Sequence, residues 1–208
     1  MKKRRNPPQN SAFYEHRRIT ICEEAARIMD EQGIRDYHMA KTKAVRRLGL
    51  GSRVPLPSNR EIDSALHQRL RLFDGERWSD RCRMLWALAT ATMEVFVNFE
   101  PRVVGGLLRG IVTEKTPVEL HLFADTPEDV AYCCTLNSIP YDSFEKRVRF
   151  SRDRFELIPA FRFAREGVGV ELLAFNRKDI REAPLCPVAG QPMQRVALER
   201  AREMQAGA

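Results

Sequence analysis

Cysteine and histidine are scarce: the 208 residues hold five of the first and four of the second. Cys22, Cys82, Cys133, Cys134 and Cys186 are odd in number, and none forms a Cys-x-x-Cys pair. That argues against a zinc site or a disulfide framework and for a reducing compartment. The chain has no Gly-x-x-x-x-Gly-Lys-Ser/Thr loop, which disfavours a P-loop ATPase, and no Gly-x-Ser-x-Gly elbow of the hydrolase kind. Long apolar runs are missing too. The most apolar segment, MLWALATATMEVFVNF, is too short to span a bilayer and contains Glu94. The start MKKRR runs into NPPQNS rather than an apolar stretch, so no secretory signal is expected. A cytoplasmic protein with no membrane partner is the expectation.

What is present fits a folded chain: 43% of residues are hydrophobic and 30% charged. The length allows one large domain or two small ones. The net charge of +7 is unevenly placed, because residues 1–73 hold 16 Lys/Arg against 8 Asp/Glu, whereas the remainder holds 19 against 20. A basic third of this kind suits a polyanion, and RNA or another polyanion meeting residues 1–73 is the expected partner. A basic but merely solvated helical surface is the alternative.

The order of elements reads as α+β: a helical region, then a mixed sheet with flanking helices. Residues 1–15 are basic and without apolar period, which reads as a flexible arm. Residues 16–99 read as helical. Ile21, Ala25, Ile28 and Met29 share one helical face, with Gly33 as the stop. Tyr37, Ala40, Ala44 and Leu48 share another, leaving Lys43, Arg46 and Arg47 as an outer basic stripe. GSRVPLP is a linker, and Ser58 with Glu61 makes a capping box before Ile62, Leu66, Leu70 and Phe73. A further helix around 79–98 presents Leu85, Leu88, Thr92, Val95 and Phe99, and Trp78 and Trp86 are expected to pack within this helical half.

Beyond Glu100-Pro101, strand-like runs appear at 118–123, 147–150, 160–164 and 168–175. Between the first two lies a helix with Thr126 as N-cap and Pro127 at its first position. Cys133 and Cys134 in that helix read as one buried and one half-buried residue. Residues 100–185 form the expected α/β domain, and 186–208 a C-terminal helix and tail.

One stretch carries chemistry: VVGGLLRGIVTEKTPVELHLF, residues 103–123. Gly105-Gly106 lets backbone approach a ligand closely, and a turn of helix after it would aim N–H groups at a phosphate. On the strand that follows, Val118, Leu120 and Leu122 alternate with Glu119 and His121, so the last two share the opposite face. Two potential ligands at i and i+2, opposite a Gly-Gly turn, suit divalent metal and phosphate. The bland reading makes Glu119 and Glu171 surface carboxylates paired with Arg or Lys, with Arg162 a candidate for Glu171.

GGLLRGIVTEKTPVEL resembles the signature of the DNA polymerase β-like nucleotidyltransferase superfamily. In that family a hydrophobic residue and Gly-Gly or Gly-Ser precede a strand reading Asp-hydrophobic-Asp-hydrophobic. Val104-Gly105-Gly106 matches the first part, and Arg109-Gly110 is common in bacterial members. The spacing puts Pro117 and Glu119 at the two aspartate positions. The resemblance implies that Glu119 and Glu171 are catalytic and bind Mg²⁺ or Mn²⁺, with His121 as an added ligand. It implies Gly105, Gly106, Arg109 and Lys115 against the phosphates of an NTP. Proline supplies neither carboxylate nor N–H, which speaks against the usual two-metal site. Two functions stay open: nucleotidyl transfer from an NTP to a hydroxyl on RNA, protein or a small molecule, or a catalytically degenerate domain that binds nucleotide or nucleic acid.

Overall fold

The structure is a computed structural model that describes residues 10–51, 54–73 and 75–207. The chain divides into two compact units, Met1–Leu72 and Phe73–Ala208. No helix among the described residues is long and apolar enough to cross a membrane.

The first unit holds α1 (Asn10–Gln32), α2 (Tyr37–Arg47) and α3 (Asn59–Phe73). Of the residues that sequence spacing assigned inward, Ile21, Ala25, Ile28, Met29, Tyr37, Ala40, Ala44, Ile62, Leu66 and Leu70 are buried, whereas Leu48 is half-buried. Asp36 caps α2 by accepting from the Met39 N–H, a residue the spacing argument had not used. Ser58 and Glu61 make the expected box before α3, each side chain bonding the other's backbone N–H. Residues 1–9 of the expected arm lie outside the described residues, as do linker residues 52–53. Residues 10–15, however, are helical rather than arm. Extending a helix already nucleated at 21–29 costs little per residue, even without an apolar face.

The second unit is an α+β layer. It contains α4 (Gly75–Val95), β1 (Arg102–Val104), β2 (Val118–Ala124), α5 (Pro127–Leu136), β3 (Asp142–Arg149), β4 (Phe155–Arg165), β5 (Val168–Asn176) and α6 (Leu198–Ala206). The five strands lie in the order β1-β2-β5-β4-β3, with β2 and β5 parallel and every other pair antiparallel. Thr126 and Asp129 form a capping box at α5 with Pro127 at its start, as the sequence indicated. Cys134 is buried and Cys133 half-buried on that helix.

One sheet face carries Val118, Leu120, Leu122, Val170, Leu172 and Ala174, packed with Leu85, Trp86, Leu88, Met93 and Phe96 of α4 and its end. Each such side chain removed from water contributes roughly 1.5–3 kcal/mol. Here the sequence reading needs correction: α4 and its tryptophans belong with the sheet, not with the N-terminal helices. The strongest break in the chain is near residue 72, not 100. An amphipathic helix shows which face is apolar but not which partner covers it.

The other face is lined in part by Phe123, Ile158, Ala160, Leu173 and Phe175, with Phe144 and Val148 of β3 beside them. Central strands β2 and β5 are therefore buried on both sides, which explains their nearly continuous apolar sequence.

Candidate functional site

Register brings the two candidate carboxylates together. β2 and β5 run parallel with Glu119 directly opposite Glu171, so both side chains leave the sheet on the face bearing Phe123 and Phe175. Pro117 precedes Glu119 on that same face, beside Gly169, where a Cβ would sit 3.7 Å from the proline ring. Glu171 is only 4% exposed, and so deep a carboxylate needs a partner. It has one in Lys146 of β3, whose ammonium donates a hydrogen bond to Glu171 Oε1 and lies 3.6 Å from Glu119 Oε1. Arg162, the cross-strand neighbour named as a candidate for Glu171, is opposite it in register but exposed, with its guanidinium 5.2 Å from the Phe144 ring centre.

The Gly105-Gly106 turn abuts this ion cluster. Gly105 has φ +82°, and a Cβ there would fall 1.7 Å from Glu119 Oε2. A side chain at 105 is thus disfavoured twice, by backbone conformation and by the Glu119 carboxylate that it would displace. At Gly106 a Cβ would sit 2.8 Å from the Ile111 carbonyl oxygen, which leaves room for glycine only. A single 3-10 turn, Leu107–Arg109, follows in place of a longer helix. The Gly106 carbonyl accepts from the Arg109 and Ile111 N–H groups, closing that turn.

His121 does not join the carboxylates. Its Nδ1 accepts a hydrogen bond from Arg195 Nε at 3.1 Å, and its ring lies 4.6 Å from that of Phe175. Because arginine only donates, Nδ1 must carry a lone pair, which places the proton of the neutral ring on Nε2. Burial, then the charges of Arg195 and Lys146, hold the imidazole well below its usual pKa of 6.5. A cation beside Arg195 would meet repulsion, so the expectation of His121 as a metal ligand is corrected. Among the described residues no group of three His, Cys, Asp or Glu side chains could hold a metal ion. The donor set that the sequence resemblance implies therefore does not fit: proline at 117, imidazole turned to Arg195, and a lysine ammonium on the remaining pair.

Arg109 is half-buried on the 3-10 turn, and Lys115 is exposed in the turn at 113–116, where its backbone N–H donates to Thr113 Oγ1. Of the expected residues, Gly105, Glu119 and Glu171 come together. Sequence reasoning missed Lys146 and Arg195. The first had a signal: Phe144, Lys146 and Val148 alternate, which puts Lys146 on the strand face of two inward apolar residues. Arg195 lies in a loop, bonds the carbonyls of Asp179, Ile180 and Glu182, and had none. Burial and the nearby Arg102 lower its pKa to about 10.

In the first unit, much of the basic charge is engaged within the helices. Arg18 pairs with Glu61, Arg27 with Glu24 and Glu31, Arg47 with Glu24, and Arg69 with Asp30 and Glu31. Lys43 donates to Gln32.

Comparison with protein-family models, with curated proteins and with solved structures finds no match to this chain.

Proposed function

We propose that the sheet unit, Phe73–Ala208, is a nucleotidyltransferase-like domain that binds a nucleotide without transferring it. Lys146 carries the proposal. Its ammonium lies on Glu171 and within 3.6 Å of Glu119, the two carboxylates that the resemblance assigns to divalent metal. One positive charge held by the chain thereby does part of what a bound cation would do: it offsets two neighbouring anions in a poorly solvated place. Phosphates approaching this face would meet Lys146 and Arg162, with the Gly105-Gly106 turn beside them. Mg²⁺ or Mn²⁺ has no part in this reading.

A second reading, nucleotidyl transfer from an NTP to a hydroxyl of RNA, protein or a small molecule, is favoured by one observation. Glu119 and Glu171 are direct cross-strand neighbours on one face. If Lys146 swings aside, the two carboxylates could hold a divalent ion.

Incubation of the full chain with each α-labelled NTP, in EDTA and in Mg²⁺ or Mn²⁺ with cell extract, separates the two. The first reading expects NTP retained on the protein equally with and without metal, and no label passed to any acceptor. Label transfer that disappears in Glu119→Ala replaces it with the second. Neither retention nor transfer refutes both.

A further inference from the structure

The two edges of the sheet are treated differently. β1 spans three residues, and its Val103 exchanges both backbone hydrogen bonds with Val196. β3 spans eight residues, and among the described residues no strand pairs with its outer side. Which groups of β3 point outward follows from the ladder. Phe150 N–H donates across the hairpin to the Arg154 carbonyl, while the Arg149 carbonyl accepts from the Leu185 N–H. Backbone groups of alternate residues point to opposite sides, so the even-numbered residues bond β4 and the odd-numbered ones face out. Leu185 takes the Arg149 end, and with it the place opposite Ser143 in a pairing about Lys146, which leaves Glu145 and Arg147 presenting donors and acceptors to a second strand.

Such an edge is usually blunted by proline, a bulge or charged side chains. Residues 142–149, DSFEKRVR, contain no proline but five charges of both signs, which turn away an uncharged strand and favour one of complementary charge order. A two-fold axis perpendicular to the sheet pairs residues of the same face. An axis through Glu145 would set Glu145 against its own copy. An axis through Lys146 instead sets Glu145 opposite Arg147 and Phe144 opposite Val148, each twice. Lys146 itself would sit on that axis, but its ammonium is drawn away onto Glu171 and Glu119. In this register Glu145 and Arg147 also exchange their outward backbone hydrogen bonds, and opposite-charge pairs directly across strands are favourable.

We propose that β3 is a homodimer edge, pairing antiparallel with a second copy of this chain about a two-fold axis at Lys146. The sheet then runs on through five strands from each copy. The test is the mass of the full chain by sedimentation equilibrium across a concentration series, with charge swaps at exposed positions. Wild type is expected at twice the chain mass. Glu145→Arg and Arg147→Glu, each placing like charges opposite one another, are expected to weaken dimerisation tenfold or more, and the double swap to restore it. Circular dichroism checks that each variant is folded. A monomeric wild type, a dimer indifferent to both single swaps, or a double swap that stays monomeric overturns the proposal.

Discussion

Replacing Lys146 by methionine keeps most of its aliphatic stem and removes only the charge, which makes it a clean perturbation of the ion cluster. The side chains involved are 5% exposed at Glu171, 18% at Glu119 and 35% at Lys146. Without the ammonium, two carboxylates face each other across neighbouring strands about 4.8 Å apart, a repulsion of roughly 3–4 kcal/mol at an effective dielectric of 20. Removing one partner of a fully buried pair costs about 3–5 kcal/mol, and water reaching the third-exposed lysine reduces that. A loss of about 2–4 kcal/mol at neutral pH follows. Urea unfolding read by tryptophan fluorescence is the appropriate assay, because Trp78 and Trp86 both lie on α4 and report the sheet unit alone. A stability within about 0.5 kcal/mol of wild type at pH 7, the range of an ordinary surface substitution, would refute the reasoning.

Two further outcomes follow from the same face of the sheet. Gly105→Ala should destabilise by roughly 2–4 kcal/mol, about 1–2 of it from the left-handed backbone and the rest from driving the Glu119 carboxylate away from Lys146. Adding Glu119→Ala to it should recover the second part only, and strict additivity of the two substitutions would show that they do not touch. For His121, the pKa is depressed in the folded state, so the unfolded chain binds the proton first. Its contribution to stability is whole above about pH 6.5 and falls away as pH drops below that value. His121→Asn, which can still accept from Arg195, should lose that part of the pH dependence in a thermal melt series. An unchanged profile would place the titration elsewhere.

What the sequence makes legible is local. The alternation of Val118, Leu120 and Leu122 against Glu119 and His121 correctly assigns faces, and Thr126-Pro127 correctly starts a helix, because both depend on neighbours a few residues away. The meeting of Glu119 with Glu171 needs the β2–β5 register, and no local pattern fixes a parallel pairing across fifty residues. The role of α4 was misjudged for a related reason: an apolar stripe names its face but not its cover. His121 looked like a ligand because spacing shows shared direction, whereas its real partner, Arg195, comes from a loop with no periodicity. Lys146 was hidden by a strand start placed at 147 rather than Asp142, which removed it from the face that it occupies.

The central claim is that a lysine of this chain, and not a divalent cation, neutralises Glu119 and Glu171. Mn²⁺ titration of the wild-type chain, followed by the electron paramagnetic resonance signal of the free ion, addresses it directly. The account predicts that the free-ion signal rises in step with added Mn²⁺, as in buffer alone, and that Glu119→Ala changes nothing. Uptake of one Mn²⁺ per chain that disappears in Glu119→Ala would contradict it.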